Sequence, residues 1–177
     1  MINSFSGPYE FLSNFYNCPV TAWGITYRSS EAAFQAQKTK DEELKKGFSI
    51  LGPSQAKLKG RTIELRKDWE RIKDSVMYHV LRYKFYQNKT LYAKLMRTED
   101  EELIEGNWWH DNYWGDCYCD KCKDIKGQNN LGKMLMDLRE EFRNSKSQNL
   151  EKIYDFQWKQ EFTNQKSQDL AWGGTIE

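Results

Sequence analysis

The chain has 177 residues and a formal net charge of +1, so its overall charge does not direct it toward nucleic acid or a membrane surface. Its length suits one domain with a substantial core, and no apolar run approaches the roughly 20 residues that span a bilayer. The start of the chain lacks a basic segment followed by an apolar one, so we expect no secretory signal, no membrane partner and a cytoplasmic location.

The first predicted elements are a hairpin and a short helix. Residues 18–28 read CPVTAWGITYR, a pattern that predicts two short strands turning near Gly24. A helix should follow from Ser29 or Ser30, because either serine can act as its N-cap.

This helix carries three polar residues that share a face. Glu31, Gln35 and Lys38 follow one another at spacings of four and three residues, which bring side chains to one side of a helix. Glu31 is also favoured at a helix start and Lys38 near a helix end by the macrodipole alone. The spacing therefore leaves two interpretations open: ordinary helix-end charges, or groups directed at a substrate.

The rest of the chain predicts a mainly α fold. A second helix is expected near residues 41–49, and the Gly-Pro pair at 52–53 should end it and begin the next. Apolar residues at helical spacing give the strongest signal over 68–87 and a further core helix over 130–143, with a shorter helix over 90–97.

Positive charge is concentrated in residues 45–73, which hold nine Lys/Arg and three Asp/Glu. Arg61, after a predicted helix, is a candidate to bind phosphate through its guanidinium. A solvated basic face is the alternative. Trp69 fits the apolar stripe of the next helix, where it either packs in the core or borders a ligand.

The long connection over 105–129 contains Asp111, Trp114, Asp116 and Asn129. Non-periodic segments of this length are commonly functional or disordered, and the tryptophans argue against disorder. Carboxylates beside tryptophans can activate water or stabilise a developing cation. The alternative is that these aspartates only form turns.

Three of the four cysteines lie in this connection. Cys117, Cys119 and Cys122 have the spacing C-x-C-x-x-C, and a structural zinc site needs four ligands. His110 or Cys18 is the expected fourth ligand. Free loop thiols are the alternative to a metal site.

Several motifs occur together in an order that resembles the NADAR family, also called YbiA-like. They are F-L-S-N-F at 11–15, Y-x-S-S-E-x-x-F-Q-A-Q-K at 27–38, G-R at 60–61, K-D-W-E at 67–70, N-Y-W-G-D at 112–116 and N-x-L-G at 129–132. The resemblance implies a single, mainly α domain with a few short β-strands over residues 1–144. It leaves residues 145–177 as a polar C-terminal extension.

Members of this family are N-glycosidases, so the resemblance implies cleavage of a base–ribose C–N bond. We expect an ADP-ribose-containing substrate, on guanine in DNA, with phosphorylated riboflavin-biosynthesis intermediates as the alternative. A third hypothesis is a non-catalytic sensor of ADP-ribose or NAD. It ranks lower because such a binder has no need of Glu31, Lys38 and Asp116, all of which are present.

The resemblance also implies roles for individual residues. Glu31 or Asp116 would stabilise an oxocarbenium-like ribose or activate water. Lys38 would attack C1 and form a Schiff base if burial lowers its pKa. The expected substrate-binding residues are Asn14, Phe15, Tyr27, Arg28, Gln35, Arg61, Trp69, Asp111, Trp114 and Asn129. For Asn129, fixing the loop is the alternative to contacting a sugar hydroxyl.

The chain departs from many relatives in the passage between W-G-D and N-x-L-G, which is longer here and carries the three cysteines. Because Cys117 directly follows Asp116, a metal bound there would position the site without entering the reaction. No cofactor is expected for catalysis, and a structural zinc ion is the candidate metal.

Overall fold

We analysed a computed structural model of the chain, which describes residues 1–144. The predicted extension over 145–177 lies outside the described residues, so it stays a prediction. A short 3₁₀ helix (Gly7–Leu12) precedes the hairpin. The helices are α1 (Ser30–Ala36), α2 (Glu42–Phe48), α3 (Pro53–Gly60), α4 (Trp69–Gln87), α5 (Lys89–Met96) and α6 (Asn130–Asn144). The strands are β1 (Val20–Ala22), β2 (Ile25–Tyr27), β3 (Gly106–Asn107) and β4 (Asp116–Cys117). The expected mainly α architecture with a few short strands is confirmed.

The hairpin forms because two left-handed residues close its turn. Trp23 (φ 50°) and Gly24 (φ 82°) join β1 to β2, and positive φ at both central residues is typical of the type I′ turn that matches strand twist. Its predicted position near Gly24 is confirmed. The hairpin delivers the chain to α1.

Helix α1 begins as the sequence predicts and ends sooner. The Ser29 hydroxyl accepts a hydrogen bond from the Ala32 amide, which caps the helix. The last helical residue is Ala36, so Lys38 follows the helix instead of continuing its face. The Lys38 amide still bonds the Gln35 carbonyl at 3.2 Å, and this tight turn keeps Lys38 on the side of Glu31.

The core surrounds α1. All seven of its residues are buried, and its alanines allow α2, α3 and α4 to pack closely against it. The predicted apolar stripe of α4 is buried, as are Leu131, Leu135 and Leu138 of α6. Removing such side chains from water is the dominant stabilising effect, so the polar row of α1 is held on a rigid support.

The long connection between α5 and α6 is ordered by a two-residue parallel pairing of β3 with β4. Asn129 closes it from the far end: its Oδ1 accepts from the Glu105 amide at 3.0 Å, and its Nδ2 donates to the Leu103 carbonyl at 2.9 Å. A Cβ on Gly115 would lie 2.2 Å from the Glu105 carbonyl oxygen, so only glycine fits there. Glu105 is thereby fixed from two sides.

Within residues 1–144, none of the helices combines the length and the apolar composition that crossing a bilayer requires.

Candidate active site

A cavity of about 870 Å³ lies beside α1, and its wall is completed by α3, the first turns of α4 and the start of the long connection. Its volume falls in the usual range for small-molecule sites. The cavity brings together nine of the residues singled out in the sequence. They are Asn14, Phe15, Glu31, Gln35, Lys38, Arg61, Trp69, Asp111 and Trp114.

Glu31 is the acid of this cavity that α1 supplies. Only 6% of the residue is exposed, and burial raises the pKa of its carboxyl. The hydrogen bond from Gln35 Nε2 to Glu31 Oε1, at 2.8 Å, opposes that rise, as do the charges of Lys57 and Lys38. Gln35 therefore orients the carboxylate and favours its charged form.

Lys38 brings an amine to the same cavity. Burial lowers the pKa of the ammonium, and the neighbouring charge of Arg61 acts in the same direction, whereas Glu31 raises it. Its Nζ lies 5.9 Å from the centre of the Trp69 ring. A lysine with a lowered pKa holds a larger neutral fraction near pH 7, and only the neutral amine is a nucleophile.

Glu105 is a third ionisable group of the cavity, and the sequence reasoning missed it. Part of the residue reaches the surface, but the protein surrounding the carboxyl removes its hydration. This burial, with the charges of Asp111 and Glu31, raises the pKa of Glu105 to about 8. Glu105 is therefore mostly protonated at pH 7. No periodic pattern marks it, since it stands alone before Gly106 at the start of an irregular segment.

Aromatic side chains line the same cavity. The Phe34 ring lies 5.1 Å from that of Trp69 and 5.5 Å, edge to face, from that of Trp114. Trp108 and Trp109 form the outer rim and are 69% and 61% exposed. Exposed rings beside a cavity offer flat surfaces on which a base can stack.

Positive side chains line a second part of the rim. Lys57 and Arg61 come from α3 and the residue after it, and Lys73 from α4. The charge of Lys57 acts on the carboxyls of both Glu31 and Glu105, so groups suited to phosphate and groups suited to a developing cation share one cavity.

Four predicted site residues lie outside the cavity lining. Asp116 is in β4, where its Oδ1 accepts a hydrogen bond from the Gly127 amide at 2.7 Å. Tyr27 is buried in β2, and Arg28 is exposed after it. Asn129 uses its side chain to fix the loop, which is the second of the two roles considered for it.

The cysteine loop forms a compact group with a histidine. One ligand atom each from His110, Cys117, Cys119 and Cys122 lies within 4.8 Å of all the others. Cys18 lies in another part of the fold and does not belong to this group, so His110 is the fourth member. The donor set can hold a metal ion.

A family model described as the NADAR domain matches residues 3–143. The chain belongs to the NADAR domain family. It is 40% identical over 141 residues to "N-glycosidase YbiA" of Escherichia coli (strain K12), a match that spans 78% of this chain and 84% of that protein. The solution structure of Escherichia coli YbiA superposes with a TM-score of 0.68 at 37% identity, covering 81% of this chain and 87% of that one.

A second named relative differs in size. "Riboflavin biosynthesis protein VVA0006" of Vibrio vulnificus (strain YJ016) is 38% identical over 148 residues, which cover 82% of this chain but 39% of that protein. The family thus includes proteins named as N-glycosidases and a larger protein named for riboflavin biosynthesis. The family resemblance and the fold it implied are confirmed.

Proposed function

We propose that the chain is an N-glycosidase that cleaves the bond between ribose C1 and a base. The observation that carries this proposal is the convergence of Glu31, Lys38 and Glu105 on one cavity, each with a shifted pKa. Shifted pKa values cluster at catalytic sites because acid–base chemistry near pH 7 needs them. The relatives named as N-glycosidases support the same reaction class.

The three groups divide the reaction between them. C–N cleavage develops positive charge on the ribose and negative charge on the leaving base. Glu105 carries a proton at pH 7 and donates it to the departing base nitrogen. The Glu31 carboxylate, held by Gln35, stabilises the oxocarbenium-like ribose.

Lys38 is the nucleophile of the proposed mechanism. Its neutral Nζ bonds to C1 as the C1–base bond breaks. A proton then passes from Nζ to the ring oxygen, the bond between C1 and that oxygen opens, and a protonated imine remains on C1. Water then hydrolyses the imine, which releases the sugar and restores the amine. Asp116 takes a positioning part, because its bond to Gly127 ties β4 to the loop that follows.

We favour ADP-ribose linked to guanine in DNA as the substrate. The cavity has room for a nucleotide-sized group, and Lys57, Arg61 and Lys73 offer positive charge to a pyrophosphate or to flanking DNA phosphates. Exposed Trp108 and Trp109 suit stacking with a base outside the cavity.

Phosphorylated riboflavin precursors are the second candidate. The similarity to the Vibrio vulnificus riboflavin protein supports them, and the same positive rim would bind their single phosphate. The deciding experiment is a release assay with ADP-ribosylated guanine DNA and, in parallel, with the pyrimidine precursors. A preference of several hundredfold in kcat/KM assigns the substrate class, and no release from either refutes the glycosidase proposal.

Borohydride separates the lysine mechanism from direct attack by water. Reduction during turnover should fix a sugar adduct on Lys38, detected by peptide mass spectrometry. Lys38→Met should abolish the adduct and turnover, whereas Lys40→Met, a matched change at an exposed neighbour, should keep both. Full turnover without an adduct would exclude the imine and leave hydrolysis by water.

A further inference from the structure

The His110, Cys117, Cys119 and Cys122 group has the composition of a closed structural metal site. It offers three sulfurs and one imidazole nitrogen, a set that zinc takes in tetrahedral structural sites with no position left for water. Cys117 and Cys122 are buried, Cys119 is half-buried, and His110 is exposed.

The distances also suit a tetrahedral ion. His110 Nδ1 lies 3.1 Å from Cys119 Sγ and 3.4 Å from Cys122 Sγ. In a tetrahedral zinc site with ordinary bond lengths, an imidazole nitrogen and a sulfur are separated by about 3.6 Å and two sulfurs by about 3.8 Å. The four ligand atoms therefore need only small adjustments to enclose one ion.

The position of His110 in the chain connects the metal-binding group to the cavity. His110 stands between Trp109 and Asp111, and both of these line the cavity. Its backbone is left-handed (φ 68°), a conformation that a non-glycine residue adopts at a cost. A bond from its ring to a metal held by three cysteines would compensate for that cost and fix both neighbours.

Hydrogen bonds to two asparagine side chains also connect the turn that carries His110 to the neighbouring strands. Asn107 Oδ1 accepts from the amides of Trp109 and Asp111, each at 3.2 Å, and Asn112 Oδ1 accepts from the Cys117 amide at 2.9 Å. The turn that carries His110 is thus bonded to both short strands. An ion at the cysteine group would cross-link this turn to the segment following β4.

We infer that His110, Cys117, Cys119 and Cys122 bind one zinc ion, which holds the Trp109–Asp111 side of the cavity in its binding geometry. The ion stays outside the reaction, since all four of its positions are filled by the protein. The statement about binding geometry rests on the proposed function, whereas the metal site itself does not.

The first test is elemental analysis of the full chain purified under reducing conditions without chelator. It should contain about one equivalent of zinc. His110→Ala and Cys122→Ser should lose the metal, whereas Cys18→Ser, a buried thiol outside the group, should retain it. Equal zinc in the Cys122→Ser variant, or loss in the Cys18→Ser variant, would overturn the assignment.

Cobalt binding to the wild-type chain tests the site without a variant, so the result does not depend on whether a variant folds. Wild-type chain freed of metal and titrated with Co²⁺ should develop the visible bands of tetrahedral cobalt and the near-ultraviolet bands of cobalt–thiolate bonds. Zn²⁺ should displace the cobalt and remove both sets of bands. Absence of these bands with the thiols reduced would refute the site.

The effect on the cavity is measured separately. Calorimetry with ADP-ribose should show about tenfold weaker binding to the metal-free chain, with recovery on adding Zn²⁺. Equal affinity with and without zinc would refute the coupling. If neither form binds ADP-ribose, the proposed substrate fails and the coupling with it, while the zinc and cobalt results still decide the metal site.

Discussion

The raised pKa of Glu105 predicts how the stability of this protein changes with pH. Glu105→Gln removes the ionisable group and keeps nearly the same shape and hydrogen-bonding capacity. In the folded chain the pKa of Glu105 rises from 4.5 to about 8, because burial, Asp111 and Glu31 all disfavour its charge. Between these two values the folded state binds the proton that the unfolded state releases.

The sign and size follow from proton linkage. Below pH 4.5 both states are protonated and Glu105 has no effect on the pH dependence. As pH rises toward 8, the free energy of unfolding falls, because deprotonation favours the unfolded chain. One unit of pKa shift corresponds to about 1.4 kcal/mol. Titration of Glu105 should therefore lower the free energy of unfolding of wild type by about 3 kcal/mol between pH 4.5 and 7.

Urea unfolding at pH 5, 6, 7 and 8 measures this difference. The Glu105→Gln variant should be increasingly more stable than wild type as pH rises, and Glu102→Gln, at a nearby exposed carboxylate, should follow wild type. The same Glu105→Gln variant should lose about 10²–10⁴-fold in kcat if Glu105 is the acid. Parallel stability curves for Glu105→Gln and wild type would refute the raised pKa.

Two further substitutions test the interior and the support of Glu31. Lys84 is fully buried, its Nζ donates to the Ser13 carbonyl at 2.7 Å, and burial lowers its pKa to about 8. Below pH 8 the folded chain bears the full cost of a buried charge, and this cost disappears as pH rises toward 10.5. The free energy of unfolding of wild type should therefore increase by about 3 kcal/mol over that window, and that of Lys84→Met should not. Urea midpoints at pH 7, 9 and 10 compare them, and parallel curves would contradict the lowered pKa. In Gly60→Ala, the new Cβ would lie 1.9 Å from Gln35 Oε1 and 2.8 Å from its Cδ, which displaces the amide that holds Glu31. Loss of the hydrogen bond from Gln35 to Glu31 should lower kcat/KM about tenfold. The better helix propensity of alanine, about 1 kcal/mol, offsets part of the strain, so the melting temperature should change little. Gly47→Ala, whose Cβ meets only the end of the Lys59 side chain, is the matched control, and an equal loss in both would remove the role assigned to Gln35.

Local sequence patterns predict the helices and turns whose positions depend on residues close together in the chain. The apolar spacing along residues 68–87 predicts α4 almost to its ends, and the serine cap and the glycine turn place α1 and the hairpin. The end of α1 was not predicted, because Lys38 continues a helical spacing although the helix stops at Ala36.

Some residues of the site can likewise be predicted from the sequence, and others only from the fold. The motif at 27–38 alone indicates Glu31 and Lys38, and both line the cavity. Glu105 could not be found from the sequence, since its raised pKa depends first on burial and then on Asp111 and Glu31, and only folding supplies all three. The sequence likewise allows either His110 or Cys18 as the fourth member of the cysteine group, and the fold places His110 beside the three cysteines.

The sequence by itself determined the family, the order of the helices and the types of group available for cleaving a glycosidic bond, because motifs and periodicity are properties of neighbouring residues. The tertiary structure decided which of those groups share a cavity, and it places Asp116 and Asn129 outside the cavity lining, in hydrogen bonds within the loop. The physical reason is that burial and electrostatic coupling depend on distances between residues far apart in the chain, and these exist only once the chain has folded.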